Sequence, residues 1–194
     1  MPRSAVSSSA EQTQTATLAF NLILAFFPDP YSATQLTRLA DSKRAKHGLR
    51  GMPIAETRFH VSLHGWGFDG HPPEDFIRNV SDAAEEVAGP VPPFEVTFDR
   101  TGSFLGSGAF VLRTDKGNRI LRKFREDLGV ALQSRGMRRQ STFTPHVTLL
   151  YDYNRIIREE VVEPVSWVVN DFKLVSSLVG KSAYSPLGEW KLRG

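Results

Sequence analysis

The alternation of apolar and polar positions divides the chain into short strands and longer helices. Leu18–Phe27 is an apolar run that stops at Pro28-Asp29-Pro30, which predicts a buried strand. From Tyr31 to His47 the period lengthens, and Leu36, Leu39 and Ala40 form one stripe of a helix that ends at Gly48. Arg58–Leu63 reads as a strand. Pro72-Pro73-Glu74 opens a second helix through Val87, closed by Gly89-Pro90. Phe94–Phe98 and Gly108–Arg113 are predicted strands joined by a Gly/Ser-rich turn. A third helix over Asn118–Gln133 carries Ile120, Leu121, Phe124, Leu128 and Leu132 at helical spacing. Phe143–Tyr151, Phe172–Val179 and Ser182–Leu192 complete the strands. The pattern is α+β, with strands in both halves.

Met1–Thr17 is mostly Ser, Thr, Gln and Ala, and reads as a flexible arm before a single domain over residues 18–194. The apolar run after it is shorter than the roughly 20 residues of a membrane span, and Asn21 interrupts it. No basic n-region or small-residue cleavage site frames it as a signal peptide. A cytoplasmic protein with no membrane partner and no obligatory protein partner is expected. Hydrophobic residues make up 40% and charged residues 23%, with 15 Gly and 12 Pro, which excludes collagen-like and largely disordered chains. The absence of cysteine removes disulfide scaffolds, cysteine-ligated zinc, iron–sulfur clusters and thiol catalysis.

One short segment recurs. His60-Val61-Ser62-Leu63 in the first half is matched by His146-Val147-Thr148-Leu149 in the second, each in a predicted strand. Side chains alternate along a strand, so His60 shares a face with Ser62, and His146 with Thr148. Each copy presents an imidazole and a hydroxyl together. Two such pairs suit phosphodiester chemistry. One imidazole takes a proton from the attacking oxygen, the other protonates the departing oxygen, and the hydroxyls donate to the non-bridging oxygens. No metal or other cofactor is required. His60 and His64 at i, i+4 would suit a metal only on a helix, and the strand-like Val61-Ser62-Leu63 argues against one. On a strand, His64 and Trp66 would continue the His60 face, with His64 assisting at the cleft and Trp66 stacking a base.

The paired His-x-(Ser/Thr)-Leu tetrads, with Thr144-Pro145 before the second, resemble the two-histidine (2H) phosphoesterase superfamily. The most similar branch is that of RNA 2′,3′-cyclic phosphodiesterases, also named 2′-5′ RNA ligases. The resemblance implies two pseudo-symmetric lobes, each with an antiparallel sheet and flanking helices, around a cleft. It implies His60 as general acid, His146 as general base, and Ser62 and Thr148 as phosphate-binding hydroxyls. Past the second tetrad, Leu150-Tyr151-Asp152 stands where that branch often places an arginine.

The net charge of +3 is unevenly spread. Nine basic residues lie between Arg113 and Arg139 against Asp115, Glu126 and Asp127. Of these, Arg135, Arg138 and Arg139 lead into the second tetrad, and Arg138 and Arg139 are candidate substrate contacts. Lys43, Arg44, Lys46, His47 and Arg50 precede the first tetrad, so both approaches are expected to steer a polyanion. The expected activity is metal-independent hydrolysis of 2′,3′-cyclic phosphate ends of RNA or nucleotides to 2′-phosphates, with ligation as the reverse. The alternatives are a phosphodiesterase for 2′,5′-oligoadenylate or ADP-ribose cyclic phosphate, and a catalytically silent RNA- or nucleotide-binding module.

Overall fold

The computed structural model describes residues 19–114, 117–138, 142–178, 180 and 183–194. The expected arm over 1–17 lies outside them, as does Arg139. The strands are β1 (Ala19–Phe26), β2 (Val61–Asp69), β3 (Phe94–Ser103), β4 (Ala109–Arg113), β5 (His146–Tyr151), β6 (Glu160–Val169), β7 (Asp171–Leu178) and β8 (Tyr184–Lys191). The helices are α1 (Pro30–His47), α2 (Glu74–Ala88) and α3 (Arg119–Gln133). Asp29 caps α1, accepting from Ser32 N at 2.9 Å, Pro30 starts it, and Gly48 at φ 60° ends it.

Two four-stranded antiparallel sheets result, in the orders β2-β1-β7-β8 and β5-β4-β3-β6. The strand carrying a tetrad lies first in each order, and β2 and β5 approach one another at the centre of the molecule. α2 and α3 pack together behind the first sheet, and α1 packs behind the second, against β5 and β6. One apolar core runs through both halves. Phe26 meets Phe94, Phe124 and Phe172 at ring separations of 5.2–6.0 Å, which joins the two sheets to α3.

Strand β6 is an addition to the sequence-based expectation, which runs from Phe143–Tyr151 directly to Phe172. Pro164 in its middle argues against a strand, because proline cannot donate to the ladder. It is accommodated because β6 is an edge strand and its register with β3 shifts between Phe98 and Arg100.

Candidate active site

The two tetrads are built alike. β2 pairs with β1 through Val61↔Phe26 and Ser62↔Ala25, then skips Leu63 to resume at His64↔Leu24. β5 pairs with β4 through Val147↔Leu112 and Thr148↔Val111, then skips Leu149 to resume at Leu150↔Phe110. Each tetrad therefore ends in a β-bulge at its leucine. Val61, Leu63, Val147 and Leu149 are buried, while His60, Ser62, His146 and Thr148 remain partly open on the other face. His60 stands just before β2, after a 3₁₀ turn over Glu56–Arg58, whereas His146 begins β5.

Both imidazoles are held in the same way. Nδ1 of His60 lies 2.7 Å from the Arg58 carbonyl oxygen, and Nδ1 of His146 lies 2.7 Å from that of Thr144. A carbonyl only accepts, so Nδ1 carries the proton in each ring. When the ring is neutral, Nε2 is left with a lone pair to take a proton. When the ring is charged, Nε2 has one to give. Each ring also rests edge-to-face on an aromatic partner: Tyr184 on His60 at 5.7 Å and Phe104 on His146 at 4.8 Å. Phe27 packs on His60 as well, at 6.0 Å.

Burial lowers the pKa of both histidines below the ordinary 6.5, partly offset by their carbonyl bonds. His60 is lowered further by the charges of His146 and Arg58. The two imidazoles are thus within electrostatic reach of each other, as their placement on facing edges requires. Burial raises the Tyr184 hydroxyl, Arg58 counters it, and Tyr151 of the other lobe adds to it. A cavity of about 280 Å³ opens beside His60, lined by Phe27, Thr57, Lys173 and Tyr184 among others. One of about 600 Å³ opens beside His146, with Ser103, Phe104, Arg113, Thr144 and Glu159 in its wall.

Several expectations are corrected. His64 and Trp66 do not continue the His60 face. The bulge at Leu63 reverses the alternation, so His64 turns to the helix-covered side and is 3% exposed. There its Nε2 lies 3.4 Å from the Arg125 carbonyl of α3, and burial lowers its pKa to about 4. Trp66 stacks on His64 at 6.1 Å and meets Phe76 of α2 edge-on at 5.3 Å. His60 and His64 therefore face opposite sides of the strand and cannot bind one metal ion.

Four of the five basic residues before the first tetrad are also engaged within the fold, Arg50 alone standing exposed with no carboxylate partner among the described residues. Lys43, Lys46 and His47 surround Glu160 of β6 at 2.6–2.8 Å, holding its carboxyl far below the usual carboxylate range, and Arg44 Nε donates to the Gly51 carbonyl. Arg135 pairs with Glu86 of α2 at 2.8 Å, while Arg138 stands exposed beyond α3. The residues that sequence reasoning missed are Tyr184, Phe104 and Arg125. Arg125 is buried, and its Nε lies 3.3 Å from the carbonyl of the bulged Leu63. Tyr184 lies 124 positions from His60, too far for a local pattern to reveal.

The family model of the 2′-5′ RNA ligase superfamily matches residues 60–181, from the first tetrad past the second. The chain belongs to this superfamily. The 2′-5′ RNA ligase fold is equally plain in solved structures. A structure described as a phosphoesterase is 25% identical, with a TM-score of 0.73 over 90% of this chain and 99% of its own. LigT of Escherichia coli, complexed with 3′-AMP, is 25% identical, with a TM-score of 0.71 over 90% of this chain and 98% of its own. TT0787 of Thermus thermophilus, at 20% identity and a TM-score of 0.74, shares the fold over 90% of this chain and 98% of its own. No curated protein matches the chain by sequence. The two pseudo-symmetric lobes that the family resemblance implies are the architecture of this 2′-5′ RNA ligase superfamily member. Among the described residues no helix is long and apolar enough to cross a membrane.

Proposed function

We propose that this protein is a phosphodiesterase that opens 2′,3′-cyclic phosphates at RNA ends or on nucleotides, leaving a 2′-phosphate. The observation that carries the reading is the matched pair of imidazoles, each with its Nδ1 proton given to the carbonyl two residues upstream. His146 takes a proton from water through Nε2 as the water attacks phosphorus. The bond from phosphorus to the 3′ oxygen breaks, and His60 gives that oxygen the proton from its own Nε2. Water thus supplies one proton and His60 the other, and a proton exchange with solvent restores both rings. Ser62 and Thr148 donate to the non-bridging oxygens, where negative charge grows in the transition state. The reverse sequence, with roles exchanged, closes a 2′-phosphate onto its 3′ hydroxyl with loss of water. A 5′ hydroxyl attacking the cyclic phosphate in place of water joins two strands through a 2′-phosphodiester as the 3′ oxygen leaves with the His60 proton. The complex of LigT with 3′-AMP supports a nucleotide-sized ligand for this superfamily member.

A phosphate between the two rings would raise both pKa values, against the lowering that burial imposes. Bound substrate thereby favours the protonated His60 that the acid role needs. The test is turnover of a 2′,3′-cyclic mononucleotide, with the product identified as the 2′- or 3′-phosphate and the assay repeated with chelator. A 2′-phosphate product at a rate indifferent to chelator is expected. A 3′-phosphate, or loss of activity restored by added metal, would replace this mechanism by another.

A further inference from the structure

Past Thr148, the strand of the second tetrad carries residues that the paired histidines do not use. Asp152 is 5% exposed, and its carboxylate turns inward to accept from the backbone N–H of Arg50 at 2.6 Å and of Asn154 at 2.9 Å. The amides of Arg155 and Gly51 add to these, and together they hold the carboxyl below the usual aspartate range. With Asp152 pinned inward, the residues on either side of it are left to solvent. Tyr151 and Tyr153 are 46% and 76% exposed, and their rings lie nearly parallel, 14° apart in tilt with centroids 6.5 Å apart. The two rings thus present near-parallel aromatic faces to solvent, the geometry on which bases stack. Tyr153 lies over Gly108, where a Cβ would fall 2.6 Å from the ring, so the glycine supplies a flat bed for it.

This pair is continuous with the cleft. The bulge at Leu149 returns Tyr151 to the face that carries His146 and Thr148, and Tyr151 is felt by Tyr184, which packs on His60. Arg50 and Arg155, both exposed, flank the same turn, and neither pairs with a carboxylate among the described residues. Aromatic faces between unpaired cations, running on from a phosphodiester site, match the chemistry of single-stranded nucleic acid. We propose that Tyr151 and Tyr153 are a stacking platform for the unpaired bases of an RNA strand whose end lies between His60 and His146. Arg50 and Arg155 meet the phosphates of those nucleotides. The platform rests on the phosphodiesterase reading above, and it makes an oligonucleotide, rather than a cyclic mononucleotide, the preferred substrate.

Two measurements test it with the full chain. The first is the ratio of KM for a cyclic-phosphate-ended tetranucleotide to KM for the cyclic mononucleotide. Replacing both tyrosines, Tyr151→Leu with Tyr153→Leu, should raise the ratio roughly tenfold or more, because base–aromatic stacking of this kind is lost. The Tyr151→Phe, Tyr153→Phe pair keeps the aromatic faces and should leave the ratio near that of the parent. The second is fluorescence anisotropy with a labelled oligonucleotide and its abasic counterpart of equal length. The parent should prefer the strand with bases, and the leucine pair should lose that preference. Because binding needs no turnover, a parent that prefers bases yet cleaves neither substrate would sink the phosphodiesterase reading and spare the platform. A leucine pair with an unchanged ratio and an unchanged preference overturns the platform. A leucine pair that alters only self-association in sedimentation also overturns it, and assigns the face to a second copy of the chain.

Discussion

His64 in β2 and Leu150 in β5 hold the same place in their two lobes. Each is the first residue past a bulge, at Leu63 and at Leu149, and each turns into the helix-covered core. A histidine thus fills a position that its counterpart fills with a hydrocarbon. Its pKa of about 4 measures how poorly the site accepts charge.

The sign of the consequence follows from linkage. His64 binds a proton less readily folded, at about 4, than unfolded, near 6.5. The unfolded chain therefore gains protons first as pH falls, and stability drops between about pH 6.5 and pH 4. The full drop is about 3 kcal/mol. His64→Leu should remove this part of the acid sensitivity. Urea unfolding at pH 7 and pH 4.5 checks it: the difference in stability between the two pH values should shrink markedly. An unchanged difference would assign the acid loss to other groups.

The paired histidines make a kinetic prediction. His60→Ala and His146→Ala should each lose most turnover, and the double variant should be far less than multiplicatively worse, since both rings serve one transition state. In the parent, kcat/KM should follow a bell whose limbs both lie on the acid side of ordinary histidine, because burial lowers both groups in the free protein. Bound phosphate raises them, so the bell for kcat should sit at higher pH. Coincident bells would mean that substrate charge does not reach the imidazoles.

Phosphate binding is separable from proton transfer. Ser62→Ala and Thr148→Val each remove one donor. In a cleft still open to water the loss in turnover should be about 10²-fold or less, the low end for such donors. Both variants should keep the shape of the pH profile. A lost limb in either would show that the hydroxyl belongs to the proton path.

Tyr184 offers a sharper test of geometry. Its hydroxyl oxygen lies 3.3 Å from His60 Nδ1, but that nitrogen's proton is already directed to the Arg58 carbonyl at 2.7 Å. The ring, not the hydroxyl, supports the imidazole. Tyr184→Phe should keep kcat within a few-fold, while Tyr184→Ala should lower it with a smaller change in KM. Equal losses in the two variants would credit the hydroxyl instead.

The tetrads were legible because they state their own geometry: two histidines, two hydroxyls and the strand period place four side chains on open faces. What local pattern could not show was the interruption of that period. Val61-Ser62-Leu63-His64 alternates without a break, and only the pairing with β1 reveals that Leu63 is skipped and His64 reversed. Setting the halves against each other, with His64 opposite the apolar Leu150, is the one signal that points to a core position. The basic cluster of α1 misled for another reason. Its neutralising partner, Glu160, lies more than a hundred positions away in a strand that Pro164 disguises. Tyr184 and Phe104 reach the histidines from turns and strands with no shared motif.

Two of the three helices, α1 and α3, are exchanged between the sheets. α1 leaves a strand of the first sheet to cover the second, and α3 leaves a strand of the second to brace β2 of the first, where Arg125 holds the Leu63 carbonyl. The segment between them, at Pro53 and Ile54, is stitched to β5 through the Ile54 amide and the Leu149 carbonyl at 2.8 Å. Only α2 stays with the sheet whose strand it leaves. A chain severed between α2 and β3 would part β1 and β2 from β7 and β8 of their own sheet, and would leave α1 without the strands it covers. The intact protein should accordingly melt in one cooperative step, and the gap between His60 and His146 should persist until the whole molecule unfolds.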